Sequence, residues 1–308
     1  MSDCFEARLR AGQFAITAEI SPPLSSDRAH LLERAMPLAG LADAVNITDG
    51  ASARVHLGAV TAAGILVEHD IEPILQFTCR DRNRIALQSD LLAAAALGVR
   101  NLLVLTGDDP RAGDQPDAKP VFDLDSRALI ETAVAIRDRN ELPSGRKVAG
   151  RAEFFIGVAD TPLDPPIDWL PRSLRTKIAA GARFAQTQFC MDLTIARRYV
   201  KRLVEEGITE QLYLLIGIVP LPSSRSALWI REHLPGSIIP DALVDRLKRA
   251  GDPKSEGKRI CIELLHELSH IPGVAGAHIM APRNADALAE VITAARSENY
   301  FSPPAPPP

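Results

Sequence analysis

The chain has 308 residues, 46% of them hydrophobic and 24% charged, with a formal charge of −4 and a sequence pI near 6.0. That length can bury one large core without demanding a second domain, and the weakly acidic balance gives no reason to expect nucleic acid or an anionic membrane as partner. No run of about 18 apolar residues spans a bilayer, and the four cysteines, Cys4, Cys79, Cys190 and Cys261, lack metal spacing and predict reduced thiols in a cytoplasmic protein.

The N-terminus is charged early, at Asp3, Glu6, Arg8 and Arg10, so no secretory signal is expected. Short apolar or β-branched runs then recur at 14–20, 42–48, 72–78, 101–106, 153–159, 184–190, 211–218 and 276–281. Each precedes a stretch with apolar residues at helical spacing, such as Leu87, Leu91, Leu92 and Ala95 after the third run. Runs that are apolar throughout, rather than alternating, fit strands covered on both faces. This pattern predicts an α/β fold, a (β/α)8 TIM barrel forming a single domain over residues 1–298. The alternative is an open doubly wound sheet. Its first strand would normally lead into a Gly-rich phosphate turn, whereas Ser21-Pro22-Pro23 stands there.

Gly98 and Gly207 read as helix C-caps ahead of the fourth and seventh strands, and Gly273 and Gly276 as turn signals at the eighth. Two connections are long. Segment 108–123 is rich in Gly, Asp and Pro and is a candidate active-site loop, while 220–257 has room for extra helices. The basic clusters at 80–84 and 197–202 read as solvated helix faces. The Pro-rich segment 299–308 predicts a disordered or extended tail.

Three strand exits carry groups that chemistry could use. Glu19 ends the first run ahead of two prolines, which remove backbone donors and stiffen the exit. It reads either as a salt-bridge partner on the rim or as a general acid, since an apolar pocket favours the protonated carboxyl. Asp108 follows Gly107 at the fourth exit; both are also ordinary turn residues, so a turn role stays open. Gln188 lies in an otherwise apolar sixth run, where a buried amide needs several partners. A pterin or flavin edge would supply them, and so would neighbouring backbone. Thr48-Asp49-Gly50-Ala51 and Gln76-Phe77-Thr78-Cys79 put small or hydroxyl groups at the second and third exits. Lys177 reads as a solvated helix residue or, near a barrel mouth, as a phosphate contact. His56, His69 and His278 stand one to a segment and read as structural.

Taken in order, Ala18-Glu19-x-x-Pro22-Pro23, Thr48-x-Gly50-Ala51, Phe77-Thr78-Cys79, Thr106-Gly107-Asp108-x-Pro110, Lys177-x-x-x-Gly181-Ala182 and Thr187-Gln188-Phe189-x-x-Asp192 resemble the methylenetetrahydrofolate reductase family, single-domain bacterial type. Gly217-Ile218-Val219-Pro220 and Gly273-Val274-x-Gly276-x-His278 add to the resemblance, which runs from Phe14 to Ile292. It implies FAD held at the C-terminal ends of the strands. It also implies hydride passing from NADH or NADPH to flavin and on to 5,10-methylenetetrahydrofolate, in the one-carbon metabolism of methionine biosynthesis. By position, Glu19 resembles the acid that protonates the pterin side, and Asp108 the aspartate whose charge stabilises the cationic iminium. Gln188 resembles a glutamine that binds folate, and Asp108 and Glu19 line the same substrate. Thr48, Gln76, Thr78, Thr106, Gly107, Asp108, Ala159 and Lys177 fall at flavin-contact positions.

The chain departs from the family pattern at Thr161, where tyrosine is common, and at Thr106, where arginine is frequent. Gln76 stands where histidine is frequent and Ser224 where phenylalanine is. Two alternatives remain: a flavin-free or repurposed one-carbon enzyme on the same scaffold, and a non-redox folate-binding partner of a methyltransferase. A folate substrate and a homo-oligomer are expected, with no metal, nucleic acid or membrane.

Overall fold

The computed structural model describes residues 4–281 and 286–297. The Pro-rich segment 299–308 lies outside the described residues. Among those described, eight parallel strands close a barrel in sequence order. They are β1 (Ala15–Ile20), β2 (Ala44–Ile47), β3 (Pro73–Thr78), β4 (Asn101–Leu105), β5 (Phe155–Asp160), β6 (Phe184–Phe189), β7 (Tyr213–Ile218) and β8 (Val274–Met280). Pairing of β1 with β8, from Ala15↔Gly276 to Glu19↔Met280, completes the circle. The (β/α)8 TIM barrel read from the sequence is therefore the fold, a single domain.

A short helix, α1 (Phe5–Arg10), precedes the barrel. Then α2 (Arg28–Ala35), α3 (Ala59–Glu68), α4 (Arg84–Ala96), α5 (Ser126–Arg139), α6 (Arg172–Ala180) and α7 (Leu193–Glu205) follow β1 to β6 in turn. The long connection after β7 holds α8 (Ser224–His233) and α9 (Asp241–Arg249) ahead of α10 (Pro253–Ser269), and α11 (Asp286–Ser297) follows β8. Local chemistry sets these boundaries. The Asn83 side chain accepts from the Ile85 and Ala86 N–H groups to start α4, and Asp192 does the same for Thr194 and Ile195 at α7. Gly98 and Gly207, at φ +80° and +67°, let the chain turn left-handed after α4 and α7. No helix among the described residues is long and apolar enough to cross a membrane.

Two apolar clusters hold the fold. The larger lies between strands and helices, and the smaller fills the N-terminal end of the barrel. There Ala15, Ala44, Ile74, Leu103, Phe155, Phe184 and Leu215 point inward, and α1 inserts Phe5 and Leu9 as a plug. Phe155 and Phe184 stack at 5.0 Å, and Phe5 meets Phe184 edge-on at 5.3 Å. Each fully buried side chain of this size contributes roughly 1.5–3 kcal/mol. Side chains alternate along a strand, so the inward face continues upward from that plug by steps of two. It reaches Thr17 and Glu19 on β1, Asn46 and then Thr48 from β2, Gln76 and Thr78 on β3, Gln186 and Gln188 on β6, and His278 on β8. That parity positions the site.

Candidate active site

The middle of the barrel is polar. Gln186 Nε2 donates to Asn46 Oδ1 at 3.0 Å while Asn46 Nδ2 donates to Gln186 Oε1 at 2.6 Å, a reciprocal amide pair across the interior. Gln186 Nε2 also donates to Thr17 Oγ1 at 3.0 Å, and Thr17 Oγ1 lies 2.9 Å from His278 Nδ1. All four residues are buried. The Thr17 hydroxyl accepts from Gln186 and can donate either to Nδ1 or to the Ala277 carbonyl at 3.4 Å, so both imidazole tautomers fit this contact. His278 Nε2 stands 3.5 Å from Glu19 Oε2. Asn46, Gln186, Thr17, His278 and Glu19 thus form one connected line. His278 is a core histidine, in keeping with its reading as structural, and its Nε2 edge faces Glu19.

Glu19 stands at the top of that line. Gln76 Nε2 donates to Glu19 Oε2 at 2.6 Å. Oε2 is approached from two sides and Oε1 has no partner among the described residues, in a side chain 23% exposed. Thr48 and Thr78 are buried beside it at the ends of β2 and β3. Thr78 donates through both N–H and Oγ–H to Asp49, at 2.9 Å each. Thr48 Oγ1 differs: it is buried and meets no hydrogen-bond partner among the described residues. A lone buried hydroxyl costs about 1–3 kcal/mol unless something satisfies it.

Gln188, at the end of β6, is only half-buried, and its Oε1 accepts from the Phe189 N–H at 3.0 Å. Among the described residues its amide nitrogen meets no hydrogen-bond partner. The strand is not otherwise apolar, because Gln186, two residues earlier, is the deeply buried amide. Asp108 lies past the end of β4 on the exposed rim beside Thr106 and Gly107, and its Oδ2 accepts from the Ser52 N–H at 3.1 Å. All of these stand at the C-terminal end of the barrel. Among the described residues no hydrogen bond joins Glu19, Asp108 and Gln188 to one another, and Glu19 and Gln76 bond directly.

Lys177, on α6, donates from Nζ to the Ala159 carbonyl at 2.6 Å. Burial pushes its ammonium down from the usual lysine range, against the pull of nearby Asp160. Asp160 points away from the interior and accepts from the Tyr199 hydroxyl; burial pushes its carboxyl up, with the Tyr199 bond opposing. Lys177 therefore sits behind the β5 exit, tied to the strand end.

The cluster at 80–84 needs the plainest correction. Arg80 and Arg82 precede α4, whose cap is Asn83, and both turn into the rim instead of lying on a helix face. Arg80 is 3% exposed. Arg82 pairs with Asp49 and, at 3.0 Å, with Asp90, its guanidinium 4.4 Å from the Phe77 ring centre. Only Arg84, with a side chain 59% exposed, behaves as read.

A sequence model of the family described as Methylenetetrahydrofolate reductase matches residues 4–296. "Probable methylenetetrahydrofolate reductase (NADPH)" of Caenorhabditis elegans is 25% identical over 240 residues, covering 75% of this chain and 33% of its own. "Methylenetetrahydrofolate reductase 1" of Schizosaccharomyces pombe is 26% identical over 208 residues, covering 66% and 32%. The chain spans about a third of the length of these curated relatives. Among solved structures, a Clostridium thermocellum protein that binds two copies of 5-methyl-5,6,7,8-tetrahydrofolic acid superposes with a TM-score of 0.63. That match covers 96% of this chain and 99% of the other at 12% identity, which shows a shared fold alone.

Proposed function

The chain belongs to the methylenetetrahydrofolate reductase family, and from that premise we propose that it reduces 5,10-methylenetetrahydrofolate to 5-methyltetrahydrofolate, with NADH or NADPH as hydride source and FAD as carrier. The observation that carries this reading is Glu19, whose Oε2 is held by Gln76 and faced by His278 while Oε1 meets no partner among the described residues.

Opening the methylene bridge requires a proton on the departing ring nitrogen, which leaves a cationic carbon for the hydride. Glu19 delivers that proton from Oε1. Gln76 keeps the carboxyl from rotating, and the imidazole edge of His278 stands behind it as the route to the interior line. Asp108 supplies negative charge beside the cation formed on the folate. Gln188 offers its amide nitrogen to an acceptor on the pterin. A bound flavin supplies the hydride chemistry that no side chain has. The residues fit such a group: the Thr48 hydroxyl, unpartnered among the described residues, calls for an outside partner, and Thr78, Thr106, Gly107 and Ala159 lie at the same end, with Lys177 behind the β5 exit. A flavin-free reductase on the same scaffold is the second reading, favoured by Thr106 and Thr161 where arginine and tyrosine are common in the family.

The deciding experiment uses the purified chain. Methylenetetrahydrofolate-dependent oxidation of NADH or NADPH is expected, together with the visible absorbance of oxidised flavin. Turnover from a colourless protein selects the flavin-free reading. Folate binding with no oxidation of either nucleotide overturns both.

A further inference from the structure

Arg80 leaves the end of β3 and is almost wholly buried. Its Nε and Nη2 donate to the Asp81 carboxylate at 2.7 Å each. The same guanidinium reaches the Gly50 carbonyl at 3.2 Å from both Nη1 and Nη2, and Nη1 approaches the Asp108 carbonyl at 3.5 Å. Its own carbonyl accepts from the Val121 N–H at 2.7 Å. One residue therefore joins the exits of β2, β3 and β4 and the far end of the loop that follows β4.

Two glycines make room for it. A Cβ on Gly50 would lie 2.3 Å from Arg80 Nη2, and one on Gly107 would lie 2.8 Å from Arg80 Cβ. The backbone after Gly50 is strained as well, with Ser52 and Ala53 at φ +55° and +53°. Such conformations cost about 1–3 kcal/mol each and persist only where the surroundings over-determine them. Here the Asp108 carboxylate accepts from the Ser52 N–H while the Arg80 guanidinium donates to the Gly50 and Asp108 carbonyls. The two loops are thus joined twice, main chain through a guanidinium and side chain through an amide.

We propose that Arg80 is a positioning residue: its buried fork fixes the 50–53 segment against the β4 exit and thereby sets the direction of the Asp108 carboxylate. A planar guanidinium suits this task because it serves several acceptors in one plane, which a lysine ammonium on a flexible stem does not. The consequence for turnover rests on the role given above to Asp108; the fixing of the loops does not.

The test therefore has two readouts. In protein without added folate or nucleotide, Arg80→Met is expected to raise hydrogen exchange at the Ser52 amide and across 106–113 roughly tenfold or more, with the β3 amides unchanged. Folate-dependent kcat should fall roughly tenfold, while reduction of bound flavin by nicotinamide stays within about twofold. Arg80→Lys should not restore either. Gly50→Ala, which drives a methyl into the guanidinium, should reproduce the exchange pattern and be less than additive with Arg80→Met. Wild-type exchange at Ser52 in Arg80→Met, or full rescue by Arg80→Lys, overturns the proposal. If Arg80→Met does not fold, wild-type exchange at Ser52 in Gly50→Ala overturns it alone. A wild-type chain inactive on methylenetetrahydrofolate would refute the functional reading while the exchange result still decides on Arg80.

Discussion

Gln76 Nε2 donates to Glu19 Oε2 at 2.6 Å, so the amide at the end of β3 clamps a carboxyl on β1 across the intervening strand. Removing the acid should therefore differ from loosening it. Glu19→Gln is expected to lower folate turnover by about 10²–10⁴-fold. Flavin reduction by nicotinamide should persist, as stopped-flow absorbance can check. Gln76→Leu should cost less, roughly tenfold in kcat, since the proton donor remains but its orientation is lost. Equal losses in both half-reactions for Glu19→Gln would sink its assignment as acid.

The amide pair makes a prediction about stability. Gln186→Leu leaves the Asn46 amide and the Thr17 hydroxyl without this partner in a buried interior. The expected cost in urea unfolding is about 1–3 kcal/mol. Adding Asn46→Leu should cost less than the sum of the single changes, because the second substitution removes the group the first one orphaned. Strict additivity would mean the two amides are not coupled.

Thr48 predicts the opposite sign. Its hydroxyl has no partner among the described residues, so Thr48→Val should leave the ligand-free chain as stable as wild type or more so. The same change should weaken flavin retention through gel filtration. Destabilisation of the ligand-free chain would show that the hydroxyl is satisfied within the protein.

Thiol chemistry gives a pH test. Burial pushes the Cys79 thiol up to about 11 and Cys190 up to about 12, from an ordinary value of 9.0, and raises Cys261 as well. A thiol whose folded value lies above its unfolded one adds stability that is complete below pH 9.0 and is lost as pH climbs through 11 to 12. At about pH 8 a thiol reagent should therefore modify only half-buried Cys4 in the native chain, and all four cysteines in urea. Rapid native labelling of Cys79 or Cys190 would contradict the packing around β3 and β6.

The strands were legible because strands covered on both faces are apolar throughout, and each lies within two residues of where the sequence suggests it. The same density hid parity. Gln188 read as a lone amide, although counting by twos back from it gives Gln186, and back from Glu19 gives Thr17. His278 named no partner because its contact with Thr17 spans 261 residues and exists only once β1 and β8 pair. Arg80 was misread for a simpler reason. Asn83 is a favourable N-cap, so a helix face could not begin before Arg84.

Barrel interiors are usually layered with branched aliphatic residues, which tolerate exchange when volume is kept. Here the middle tier is a mesh of amides, a hydroxyl and an imidazole, in which deleting any member strands its neighbour. New chemistry on this scaffold should therefore be sought by rewriting the entrance loops, with the central tier inherited whole or replaced in a single concerted redesign.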